Sequence, residues 1–359
     1  MFITSLYCIL IVALLVQFLF YLFFFKSFLH KEKNKAISYK KPISIIIYIK
    51  NNENDLKLNL PSIIDQEYDD FEIILINHSS TDNSLNLIKD FQKKHSNIKL
   101  VNVENKEVFW GNKKYALTLG IKASSNDFLL FTDIKCKPLS KLWIKEMASK
   151  LITHSDIVIG YKSIKSNILI QFYNTITSLK SFTFAKLNLP YKGYSENLAY
   201  SKQLFFETKG FINHMNILNG ECDLFLKDTI ETATVKVQIA PQSHVKKQHS
   251  RGFSNFLTIL REHQTLRSFY SKKIKFILKF FDITKLFFWS LSFHFCYFDP
   301  IFSLMIISFY LFFQYAFMSR YMLKTKESKL LYFLPILDLS YILFVFFTRV
   351  SNLMLKPKI

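Results

Sequence analysis

Glycine and proline are scarce, with 7 and 8 copies in 359 residues. That scarcity excludes collagen-like repeats and Gly/Pro-rich disorder. Cysteine is scarce as well. Cys8, Cys136, Cys222 and Cys296 form no CxxC pair and no Cys/His cluster with zinc spacing. Two lie in apolar runs and two in the middle of the chain, which speaks for reduced thiols in a cytosol-facing protein rather than a disulfide framework. Negative charge is also short: 27 Asp and Glu face 47 Lys and Arg, for a net charge of +20. What the chain has in excess is phenylalanine. Of 39 copies, 23 fall in residues 1–25 and 276–347. Half of all residues are hydrophobic, and the mean hydropathy of +0.15 is high for a soluble enzyme.

The two phenylalanine-rich segments read as membrane. Residues 1–25 carry no charge, and the apolar run Phe2–Phe25 is long enough to cross about 30 Å of hydrocarbon. No basic residue precedes it and no small-residue cleavage site follows, so the pattern is an anchor rather than a cleaved signal peptide. Lysines at 26, 31, 33, 35, 40 and 41, against one Glu32, make residues 26–41 a basic juxtamembrane linker. Positive flanks stay in the cytoplasm, which places the central domain there, at the inner membrane. Residues 276–347 hold two or three further spans. Leu286–Phe298 is followed by a break at Asp299–Pro300, then Ile301–Met318, then Leu330–Phe347, which Asp338 interrupts. Asp338 is costly in lipid unless it faces protein. A basic tail, 348–359, closes the chain. The lysines cluster beside apolar runs, so the net charge points to membrane lipids as a partner and away from nucleic acid.

Residues 42–275 read as one α/β domain. Ile43–Ile49, Glu72–Asn77, Ile98–Val103 and Phe128–Asp133 are short apolar runs of the kind that become strands buried on both faces. Helical patterns at Asp55–Gln66, Asp82–His95 and Asn112–Ser124 separate them. Strand alternating with helix implies a mostly parallel sheet with helices on both faces, and ligands of such sheets sit at the carboxyl ends of the strands. Lys50, Asn51, Asn77 to Asp82 and Asp133 fall there. Further on, Asp156–Tyr161 and Val235–Ile239 read as strands, and Ile168–Leu187 and Asp223–Thr232 as helices. Trp110 reads as core.

The order of these elements carries four short motifs: Asn77-His78-Ser79-Ser80-Thr81-Asp82, Lys113-Lys114-Tyr115-Ala116-Leu117, Thr132-Asp133-Ile134-Lys135-Cys136-Lys137-Pro138 and Glu221-Cys222-Asp223-Leu224-Phe225-Leu226. Together they resemble a membrane-anchored family 2 glycosyltransferase of the GT-A fold, over residues 40–270. The resemblance implies inverting transfer of a sugar from a nucleotide-activated donor to a lipid-linked or envelope glycan acceptor. It makes Asp223 the base, and Asn51, Asp82, Lys113, Asp133 and Lys135 the donor contacts. It places His263 at a clamp near the membrane, and Mg2+ or Mn2+ as a weakly bound cofactor at Asp133. The chemistry needs such groups, because a departing diphosphate develops charge and the acceptor hydroxyl must lose a proton.

Several positions depart from the family pattern. His78 stands where a nucleoside-binding aspartate is expected, Lys135 where a second metal-binding aspartate is expected, and Cys222 where a glutamate precedes the base. Ile259 and Glu262 replace the glutamine and arginine of the clamp. Two readings follow for the altered site. In one, Lys135 takes over part of the metal's task. In the other, the fold persists as a membrane-tethered scaffold without catalysis. A nucleotidyltransferase is a third, remote reading.

Overall fold

The computed structural model describes residues 2–29, 41–104, 113–217, 219–247 and 253–354. Most of the basic linker, Trp110 and the last residues of the tail lie outside this set.

In chain order, helix α1 (Phe2–Leu29) precedes β1 (Ile43–Ile49), α2 (Glu53–Ile64), β2 (Phe71–His78), α3 (Ser84–Lys94), β3 (Ile98–Val103), α4 (Lys113–Ala123) and β4 (Phe128–Asp133). There follow β5 (Cys136–Pro138), α5 (Trp143–Ala148), β6 (Asp156–Gly160), β7 (Lys162–Ile164), α6 (Ile168–Lys186), β8 (Leu198–Ser201), α7 (Lys202–Glu207), α8 (Glu221–Asp228), β9 (Thr234–Gln238) and β10 (Val245–Lys247). Four helices close the described chain: α9 (Phe253–Leu266), α10 (Lys272–Phe298), α11 (Pro300–Lys324) and α12 (Leu334–Met354). They fall into two compact units: residues 34–165 with 184–250, and residues 1–33 with 166–183 and 251–359. Residues 166–183 and 251–275, read from the sequence with the α/β domain, thus group with the apolar helices.

The first unit is the mixed α/β sheet. Its seven strands run in the order β3-β2-β1-β4-β8-β6-β9, parallel except for β8, which is antiparallel to both β4 and β6. A three-stranded sheet, β5-β10-β7, accompanies it. β1 lies inside the sheet, between β2 and β4, and its Ile43, Ile45, Ile46, Ile47 and Ile49 are all at most 1% exposed. The β-branched run satisfies both faces of a covered parallel strand. The chain leaves β1 toward β2 and β3, then returns to the other side of β1 for β4. That reversal is the switch point where doubly wound sheets open a crevice.

Asn197 ties this unit together. Its amide nitrogen donates to the carbonyls of Tyr161 and Ser243, each at 2.9 Å, and its Oδ1 accepts from Trp143 Nε1 at 3.0 Å. The side chain is fully buried. A Cβ at Gly160 would lie 2.3 Å from the Asn197 amide, so only glycine admits this hub. Asn197→Ala strips the Trp143 N–H and the Ser243 carbonyl of the bonds Asn197 supplies, and leaves the Tyr161 carbonyl with the Val245 N–H at 3.3 Å. It is expected to destabilise the unit by roughly 3–5 kcal/mol, seen as a lowered midpoint in denaturant unfolding.

The second unit is helical. Three of its helical stretches are long and apolar enough to cross a membrane: Thr4–Phe24, Pro300–Lys324 and Ser328–Asn352. The break expected at Asp299–Pro300 is a helix junction. Asp299 Oδ1 accepts from the Phe302 N–H at 3.2 Å, and Pro300 opens α11, where its missing N–H is harmless. Asp338 faces protein. Lys285 Nζ contacts its Oδ1, and Oδ2 accepts from Tyr310 Oη at 2.7 Å and Trp289 Nε1 at 3.2 Å.

Candidate active site

A cavity of about 290 Å³ opens at the switch point. Tyr48, Lys50 and Asn52 come from the end of β1, Thr132, Asp133 and Lys135 from the end of β4, Lys113 from the start of α4, and Glu221 and Cys222 from the start of α8. Phe131, Tyr200 and Phe225 add an aromatic wall, with ring centroids 4.6 and 4.5 Å apart in sequence along it. Apolar walls with a few convergent charged groups are the composition of a small-molecule site.

Glu221 and Lys113 are positioned by identifiable local contacts. Gly220, in the left-handed region at φ 74°, caps α8 and turns the chain so that Glu221 opens the helix toward the cavity. Glu221 Oε1 lies 3.2 Å from Lys113 Nζ. Burial works against the Lys113 charge, but Glu221, with Asp133 further off, outweighs it and holds the ammonium above its ordinary value. The Lys113 ammonium also sits 5.6 Å over the Tyr48 ring, and Tyr48 Oη meets His78 Nδ1 at 2.8 Å. Burial, more than any other influence, pushes the Cys222 thiol well above its usual value, which keeps it protonated and suits it as a filler rather than a nucleophile.

Asp133 is engaged on both oxygens. Its Oδ1 accepts from the Lys135 backbone N–H at 2.9 Å, and its Oδ2 faces Lys247 Nζ at 3.8 Å. Lys247 also lies 3.2 Å from Glu196 Oε1, which pairs with Lys162 Nζ at 2.8 Å. Glu196 first, and Asp133 after the opposing effect of burial, hold the Lys247 ammonium well above its ordinary value. Burial raises the Glu196 carboxyl, but Lys162 and Lys247 outweigh it and keep the group well below the usual carboxylate range.

The remaining sequence candidates fall in other settings. Asn51 and Asp82 build the loops at the carboxyl ends of β1 and β2. Asn51, at φ 54°, accepts the Thr81 N–H on Oδ1 at 2.8 Å and donates its own N–H to Ser80 Oγ at 3.1 Å. Asp82 accepts the Glu53 and Ser84 N–H groups at 3.0 and 3.1 Å, tying the starts of α2 and α3. Asp223 does not line the cavity. It is 4% exposed, accepts the Gly193 N–H on Oδ1 at 3.1 Å and has Lys192 Nζ 3.6 Å from Oδ2. His263, on α9 of the helical unit, meets Tyr173 Oη through Nδ1 at 3.0 Å. Lys247, Glu196 and Lys162 carry no local signal in the sequence. Register brings them together, since antiparallel β5–β10 pairing sets Lys247 opposite Cys136 and parallel β10–β7 pairing sets Val245 opposite Lys162.

The geometry does not fit a divalent ion at Asp133. Among the described residues no three His, Cys, Asp or Glu side chains converge. Asp133 is a single carboxylate with an N–H on one oxygen and an ammonium against the other, whereas Mg2+ and Mn2+ ask for several oxygens.

Residues 44–212 match the model of the glycosyl transferase family 2 domain. A mannosyltransferase from Pyrobaculum calidifontis, solved with GDP-Man and Mn2+, superposes with a TM-score of 0.61 at 13% identity, over 94% of this chain and 99% of that one. At that identity the likeness speaks to fold alone. A dolichyl N-acetyl-alpha-D-glucosaminyl phosphate 3-beta-D-2,3-diacetamido-2,3-dideoxy-beta-D-glucuronosyltransferase of Methanococcus voltae is 36% identical over 93 residues, 24% of this chain and 27% of its own length. A poly-beta-1,6-N-acetyl-D-glucosamine synthase of Staphylococcus epidermidis is 32% identical over 110 residues, 31% of this chain and 25% of its own. The chain spans about a quarter of the length of these curated relatives. Residues 44–212 are thus similar to a glycosyl transferase family 2 domain, and the fold is GT-A-like, in a chain with helices long and apolar enough to span a membrane.

Proposed function

We propose that this protein is a membrane-bound glycosyltransferase that moves a sugar, with inversion, from a nucleoside diphosphate donor to a lipid-linked or envelope glycan hydroxyl. The observation that carries the reading is the switch-point cavity, where Glu221 and Asp133 meet Lys50, Lys113 and Lys135, most of its lining coming from the residues that match family 2. The names of the two curated relatives, one acting on a dolichyl-linked sugar and one building a polysaccharide, support the acceptor class. In the reaction the acceptor oxygen attacks the anomeric carbon, the bond from that carbon to the diphosphate breaks, and the hydroxyl proton passes to a carboxylate. Glu221 takes that proton in this reading, because it lines the cavity while Asp223 is turned to Gly193 and Lys192. Asp223 then fixes the loop before β8 against α8. Lys113 and Lys135 contact the diphosphate, Asn51 and Asp82 shape the nucleotide loops, and His263 serves an acceptor clamp.

The test is a panel of nucleotide sugars given to the detergent-solubilised protein with membrane lipid extract. Release of free nucleoside diphosphate supports glycosyl transfer; release of pyrophosphate establishes nucleotidyl transfer instead. An intact protein that binds and turns over no donor, yet whose deletion alters envelope glycans, establishes a scaffold.

The same reading puts the α/β unit in the cytoplasm. Cys136 is fully buried and cannot report on this. Lys93 on α3 is exposed. Lys93→Cys, in a background without the native cysteines, is expected to react with a membrane-impermeant maleimide only after cells are opened. Labelling on intact cells reverses the orientation.

A further inference from the structure

We propose that a lysine ammonium built into the fold, Lys247 on β10 seconded by Lys135, takes the place of a divalent cation against the diphosphate of the donor. The inference rests on the donor site proposed above and adds how that site meets the donor's charge.

The first observation is the state of Asp133. A carboxylate that is to hold a metal must offer its oxygens. Here Oδ1 accepts the Lys135 N–H at 2.9 Å, and Oδ2 faces Lys247 Nζ at 3.8 Å. A dication placed there meets an ammonium already in position. The second observation is how Lys247 is held. Glu196 lies 3.2 Å from its Nζ, and Glu196 is itself fixed by Lys162 at 2.8 Å. The β10–β5 ladder sets Lys247 opposite Cys136, just beyond Asp133 on the return strand. A lysine normally gives up rotamer freedom when it binds. This one is already ordered, so little is lost when an anion arrives.

The alternative is an ordinary ion pair that does nothing beyond packing. Glu196 already has a partner in Lys162, so neutralising Glu196 does not require a second lysine. An ammonium has three N–H donors. Among the described residues, the contacts of Lys247 with Glu196 and Asp133 engage at most two of them. The cavity lining carries Lys50, Lys113 and Lys135 against Asp133 and Glu221, and Lys247 stands beside Asp133 with Glu196 as its counter-ion. A surplus of fixed cations beside a cavity suits a dianionic group and opposes a metal ion. Asp133 is then a positioning residue, aiming Lys247 and the Lys135 backbone rather than ligating an ion.

Equilibrium binding of UDP and of GDP to the full-length protein in detergent tests this, with EDTA in one arm and Mn2+ in the other. The unmodified protein is expected to bind one of them with the same affinity in both arms. Lys247→Gln is expected to lower that affinity about 10-fold or more, the loss of one charged hydrogen bond, while Lys247→Arg keeps it. Lys135→Asp is expected to create a difference between the arms, with tighter binding in Mn2+. Binding that requires Mn2+ in the unmodified protein overturns the lysine inference and leaves the donor site standing. Binding in neither arm overturns both. The comparison of arms uses the unmodified protein, so it decides even where Lys247→Gln does not fold.

Discussion

Glu221→Gln is expected to slow release of nucleoside diphosphate from the donor by about 10²–10⁴-fold, the usual loss on removing a general base. Glutamine keeps the shape and the hydrogen-bonding reach but cannot take the acceptor proton. The variant should retain nucleotide affinity within a few-fold, because the base acts on the acceptor, although Lys113 loses its partner at 3.2 Å. Asp223→Asn is the matched control. Its carboxylate holds the Gly193 N–H and faces Lys192, so its replacement acts on the stability of the α8 junction and leaves turnover of the folded protein close to normal. The two variants separate the assignments cleanly. If Asp223→Asn loses rate with an unchanged melting temperature while Glu221→Gln remains active, the proton goes to Asp223 and α8 must turn on binding substrate.

The family resemblance picks Asp223 by its place in the motif, whereas the carboxylate that lines the cavity is set by helical phase. Residues i and i+2 on an α-helix point about 200° apart, so 221 and 223 cannot both face one cavity. Which of them does so depends on where the helix starts. The Gly220 cap starts α8 at Glu221, two residues before the helical pattern read from Asp223. By contrast the sheet core was plainly legible. Ile43–Ile49, Ile98–Val103 and Phe128–Asp133 appear as strands with the bounds their apolar runs suggest, because strands buried on both faces leave uninterrupted hydrophobic runs. The three-residue strands β5, β7 and β10 were not legible. They are too short for a periodic signal, and their pairing joins segments about 80 to 110 residues apart in sequence. Lys247 belongs to that hidden set, so the second cation at Asp133 emerges only from register. The departure at Lys135 was visible; its company was not.

Asp338 shows the same limit in the helical unit and gives the second large effect. A carboxylate within an apolar run conflicts with lipid unless protein surrounds it. The resolving partners lie on other helices: Lys285 and Trp289 on α10, and Tyr310 on α11. Tyr21 of α1 accepts from Lys285 Nζ at 3.0 Å and from Gln314 Nε2 at 2.9 Å, extending the network to a fourth helix. Both Lys285 and Asp338 are at most 1% exposed. Lys285→Met therefore leaves Asp338 charged and without its cation in a dry interior. Removing one member of a buried pair typically costs about 3–5 kcal/mol, and thermal unfolding in detergent is expected to show that loss. The double variant Lys285→Met/Asp338→Leu removes both charges and fills the space with apolar atoms. It is expected to recover much of the loss, since replacing a whole buried pair with packed hydrophobic groups is often near neutral. Tyr310 and Trp289 still forfeit their acceptor, so recovery stops short of the unmodified protein. A double variant as unstable as the sum of the two single ones shows that the pair is uncoupled and that Asp338 is held by its aromatic partners alone.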